Sequence, residues 1–174
     1  MDTVEQIEKL KKVELLANNA SESMHLDRRL GAFLLYAGLT DFMAIQAARL
    51  VEQIVLKGQL ADGKEPTFHP HPDTYFYNHA ISTRLIFRGI RKFLPFKPGS
   101  GGADEANRIT TLANRMIDAG LMFSAHRNRI VHHIGSPAMT LESLVALIDQ
   151  ASAAYREFRE AQKHLHEDCG PLPL

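Results

Sequence analysis

The 174-residue sequence predicts an all-α fold, a single antiparallel bundle of about five helices. Three observations carry that expectation. Apolar residues recur at three- and four-residue steps over long windows, no segment alternates with a period of two, and glycine and proline gather in a few stretches between those windows. The length suits one domain, expected over residues 1–168, with residues 169–174 as a disordered tail.

The elements follow in order. Asp2 and Glu5 have capping-box spacing, so a first helix is expected from there to about Asn19. A second is expected from Asp27 to Lys57, ended by Gly58. "GQLADGKEPTFHPHPD" then reads as a long loop, and a third helix is expected to start at Asp73 or Thr74 and to stop before Pro95. "PFKPGSGGAD" is a second loop. A fourth helix is expected from near Asp104 to about Ile134, where Gly135 and Pro137 stop it, and Thr140 caps a fifth that runs to about His166.

Composition narrows the function classes. Apolar residues make up 45% and charged residues 23%, the balance of a globular chain. Twenty basic residues offset twenty acidic ones, so no global field favours a polyanion, and any nucleic acid must be held by a local cluster. The only cysteine, Cys169, precludes an intrachain disulfide. "MDTVEQIEKLKK" is too charged for a signal peptide, and the longest apolar run, "LGAFLLYAGLT", is too short to span a bilayer. The expectation is a cytoplasmic protein with no membrane partner and no cofactor.

The chemistry-bearing stretch is "AHRNRIVHHIG", residues 125–135, late in the fourth helix. That helix carries an apolar stripe of Ile109, Leu112, Met116, Ala119, Phe123, Ile130 and Ile134. Arg127 falls in the middle of the stripe, where a guanidinium needs an anion, a carbonyl or a subunit boundary. Asn128 and His132 are four apart and share a face. At about 100° per residue, Arg127 and His132 sit roughly 140° apart, so one straight helix does not aim both at one ligand. Arginine's reach, a local kink or a second copy of the helix across a two-fold axis could bring them together.

"RNRIVH", Arg127 to His132, resembles the R-(x4–6)-H signature of HEPN domains, with the polar residue Asn128 directly after the arginine. The setting resembles that family too: the motif lies late in a long helix of an all-α bundle, and the amphipathic "LESLVALIDQASAAYREFREAQ" follows. The resemblance covers about Asp27 to His166. It implies a small helical bundle that dimerises with its motif helices at the interface, and in many members a metal-independent endoribonuclease of toxin–antitoxin or defence systems. Other members are non-catalytic and bind a nucleotide, an RNA or a partner protein. The resemblance makes His132 the general acid or base, Arg127 the phosphate-binding group and Asn128 an orienting group. An antitoxin or nucleotidyltransferase partner would fit the same family. The chemistry is self-consistent, because attack of a 2′-hydroxyl on its own phosphate needs a base that titrates near neutrality and a cation for the phosphorane.

Other clusters carry two readings each. Arg84, Arg88 and Arg91 form one stripe on the third helix, with Lys92 beside it, either a phosphate-tracking face or a solvated outer face. Arg129 and His126 could extend a basic rim around the motif, while His133 is expected to cap the helix end or face solvent. His69, His71, Asp73 and His79 have spacing that could hold zinc or nickel, against the plainer reading of a proline-stiffened loop, so no metal is expected. Tyr75, Phe76 and Tyr77 either anchor the third helix or stack on a base. Asp41, on an apolar face of the second helix, is a candidate carboxylate for Arg127 or a stripe-edge residue reaching water.

Overall fold

A computed structural model describes residues 3–61, 83–98, 102–133 and 136–168, the side chains of residues 3–7, 9, 10, 40–43 and 56–61 excepted. The described residues form a bundle of five helices: α1 (Thr3–Ser21), α2 (Leu26–Ala61), α3 (Thr83–Arg91), α4 (Gly102–His133) and α5 (Leu141–Asp168). No strand occurs among them. The fold is therefore the all-α helical bundle that the periodicity predicts.

Helix ends follow local chemistry. Thr140 caps α5: its Oγ1 accepts from the Ser143 N–H at 3.1 Å and its carbonyl from the Leu144 N–H at 3.0 Å. Gly102 opens α4 with φ of +81°, a conformation that favours glycine. One end differs from the sequence expectation and one agrees with it. Gly58 does not stop α2, which runs on to Ala61. An interior glycine costs only about 1 kcal/mol, and the good helix formers Gln59, Leu60 and Ala61 follow it. α3 ends at Arg91, before Pro95 as expected. The proline disfavours helix at Leu94, so the chain tightens into i→i+3 bonds from Lys92, Phe93 and Leu94 back to Gly89, Ile90 and Arg91. The expected capping pair Asp2–Glu5 and the expected start of the third helix lie outside the described residues, as does the tail from Cys169.

One core joins all five helices. α4 packs along α5, α1 along α2, and α2 bridges to α5 and α3. At the centre the ring of Phe123 meets Phe33 at 6.4 Å and Tyr155 edge-on at 5.8 Å, while Tyr155 stacks on Tyr36 at 4.2 Å. Phe33, Phe123, Tyr36 and Tyr155 are each at most 2% exposed, and burying side chains of this size contributes about 1.5–3 kcal/mol apiece. This cluster ties the middle of α4 to α2 and α5 and so fixes where the last two turns of α4 emerge.

α1 is held by polar contacts. The Tyr36 hydroxyl donates to Asn18 Oδ1 at 2.7 Å. Arg159 on α5 grips Glu14 with two donors, Nε to Oε1 at 2.6 Å and Nη2 to Oε2 at 3.0 Å, and donates from Nη1 to Gln162 Oε1 at 2.6 Å. The Tyr155 hydroxyl also reaches Glu14 Oε1, at 3.4 Å. Burial raises the pKa of both tyrosines, so the phenols stay neutral donors.

Candidate functional site: the last turns of α4

α4 runs unbroken from Gly102 to His133, so the whole of "RNRIVH" lies on one helix. Its burial pattern sorts the residues. Phe123, Ser124 and Ile130 are buried, Arg127 and His126 are half-buried, and Asn128, Arg129, His132 and His133 are exposed. Val131 is 60% exposed. Beyond Ile130 every described residue of α4 is open to solvent. The motif therefore occupies the last described turns of α4, where Ile130 is the last buried residue among those described.

Asn128 and His132 share the exposed face, as their spacing requires. Arg127 stands at the rim of the core between Phe123 and Ile130 and is only partly covered. The unbroken helix keeps it roughly 140° from His132, and about 7.5 Å along the axis, so the two backbone positions diverge. A second copy or the reach of arginine remains the way to bring both groups to one phosphate. Arg129 and His133, also four apart, share the other exposed flank with His126 one turn back. Burial, helped by the charge of Arg129, holds the pKa of His126 below the ordinary histidine value. Both causes disfavour its charged form.

The arginine stripe of α3 faces outward. Thr83, Ile86, Phe87 and Ile90 are its buried side, and Arg84, Arg88 and Arg91 are exposed, with Lys92 just after them. Arg91 pairs with Asp118 on α4, which compensates one of these charges. Phe87 lies against Gly120, Arg91 against Asp118, and the Phe96 N–H donates to Thr110 Oγ1 at 3.0 Å, so α3 runs antiparallel to α4. The stripe thus nears the motif at its Arg84 end. Its Arg91 end is anchored about 20 Å from His132 along α4.

The side chain of Asp41 lies outside the described residues, as do His69, His71, Asp73, Tyr75, Phe76, Tyr77, His79 and Ile134. Among the described residues no group of three His, Cys, Asp or Glu side chains could hold a metal ion. No single described helix is long and apolar enough to cross a membrane.

Two buried features have no counterpart in the sequence reading. Glu52 on α2 is 6% exposed and its Oε1 has no hydrogen-bond partner among the described residues. Burial raises its pKa, against the opposing charge of Arg49. Its signal was present in "RLVEQIVL", a carboxylate inside an apolar run. The Glu14–Arg159 clamp had no such signal, because its partners lie 145 residues apart.

Comparison with family models, with curated proteins and with solved structures returned no match to this chain.

Proposed function

We propose that the protein is a HEPN-type, metal-independent endoribonuclease that works as a homodimer. The observation that supports this reading is the placement of "RNRIVH": the imidazole of His132 and the amide of Asn128 stand exposed on one face of α4, beside a half-buried Arg127, in the last turns of a long helix of an all-α bundle. In this reading His132 takes the proton from an RNA 2′-hydroxyl as the 2′-oxygen attacks the adjacent phosphorus. The P–O5′ bond breaks, leaving a 2′,3′-cyclic phosphate, and the departing 5′-oxygen takes up a proton, which an imidazolium can supply. Arg127 stabilises the charge on the phosphorane oxygens, and Asn128 orients the phosphate or the base. A second copy of α4 supplies the complementary half of the site, because Arg127 and His132 of one helix diverge. Arg84 and Arg88, exposed on α3, extend the phosphate path, with Arg129 as the nearer cation.

The test is cleavage of a single-stranded RNA by purified protein in EDTA. Cleavage is expected in wild type and lost in His132→Ala and Arg127→Ala, with helicity unchanged. An unchanged rate in His132→Ala removes the enzyme reading.

The second reading is a non-catalytic module that binds a nucleotide, an RNA or a partner protein through the same face. The zero net charge and the pairing of Arg91 with Asp118 favour it, since both weaken general attraction for RNA. Binding that Arg127→Ala abolishes, without turnover, is its signature.

A further inference from the structure

The exposed apolar side chains are concentrated on the α1–α2 hairpin. Leu15, Leu16, Met24, Leu34 and Leu35 make up five of the nine exposed large hydrophobic residues among the described ones. On α2, Leu34 is 60% and Leu35 36% exposed, and a Cβ added at Gly31 or Gly38 would meet nothing within 4 Å. Positions 31, 34, 35 and 38 recur at helical steps, so they form one strip on the straight segment Leu26–Leu39, opposite buried Phe33 and Tyr36. Leu16 on α1 lies about 160° round that helix from Glu14, the residue that faces α5, so it too is on the outer side of the hairpin.

The strip is self-complementary. Residues 31–38 read "GAFLLYAG", a palindrome except that Phe33 answers Tyr36. Two copies of α2 packed antiparallel across a two-fold axis between residues 34 and 35 bring residue i opposite residue 69 − i, the reciprocal pattern of an isologous contact. Leu34 then meets Leu35 of the second copy, and Gly31 meets Gly38, where the missing side chains let the backbones approach.

We propose that this strip docks a second copy of the chain, α2 against α2. The contact lies on α2, not on the motif helix α4, and stands whether or not the protein cleaves RNA. If the motif helices also pair, the chain self-associates through two surfaces and assembles beyond a dimer.

Light-scattering mass of the full chain, taken with size exclusion over a concentration series, tests this. Wild type is expected as an oligomer whose mass halves in Leu34→Glu and in Gly38→Leu. Both changes fall on open surface, and circular dichroism checks that helicity is kept. A monomeric wild type, or an unchanged mass in both Leu34→Glu and Gly38→Leu, overturns the proposal.

Discussion

Phe87 lies against Gly120 so closely that a Cβ built on the glycine would stand 2.3 Å from the phenylalanine Cζ. Phe87 is fully buried and meets Phe158 edge-on at 5.6 Å, so to make way its ring must shift within the small cavity that it lines with Phe123, Tyr155 and Phe158. Hydrogen at position 120 is therefore what lets α3 lie on α4. Gly120→Ala is expected to destabilise the fold by about 1–3 kcal/mol through overpacking, despite alanine's better helix propensity. Chemical denaturation measures it. Phe87→Leu should rescue part of the loss, so that the double variant is less destabilised than the sum of the two single ones.

The clamp of Arg159 on Glu14 makes the docking of α1 depend on a charge pair. Arg159→Met leaves the Glu14 carboxylate with the Tyr155 hydroxyl but without its two guanidinium donors. A loss of about 1.5–3 kcal/mol is expected for hydrogen bonds to a charged group. Hydrogen exchange should locate it: α1 amides speed up more than those of α4 if the clamp holds α1 to the bundle.

Glu52 imposes a pH dependence of defined sign. Its pKa is raised in the folded state, so the folded chain binds the proton more tightly than the unfolded chain does. The group costs nothing in acid, where both states are protonated. Its penalty grows as pH rises from the ordinary carboxylate value through the raised folded one, and is complete above that. Glu52→Gln should therefore gain stability at pH 7, by about 1 kcal/mol, and lose that gain near pH 4. Urea melts at the two pH values check both the sign and its disappearance.

The bundle was legible because it rests on local pattern. The apolar stripe of α4 marked Met116, Ala119, Phe123 and Ile130, all of which are buried, while Ile109 and Leu112 of the same stripe are only half-buried. Thr140 announced its helix by a cap that forms as read. Helix ends were less legible where a weak signal met a contrary context, as at Gly58, which α2 runs through. At the candidate site, spacing alone placed Asn128 and His132 on one face and separated them from Arg127. What spacing could not give was how far each side chain is covered: the structure buries Ile130, half-buries Arg127 and leaves Asn128 and His132 exposed. The clamp between residues 14 and 159 and the close approach of 87 to 120 are long-range events with no local trace.

A mixing experiment tests most directly whether two copies of the motif share one site. Arg127→Ala and His132→Ala proteins, each inactive alone, are combined after partial denaturation and refolding, and RNA cleavage in EDTA is measured. If one chain supplies the arginine and the other the histidine, half of the randomly formed dimers carry one intact site. About a quarter of wild-type activity should then return. A mixture as inactive as its components, from partners shown by mass to have exchanged subunits, would contradict the account.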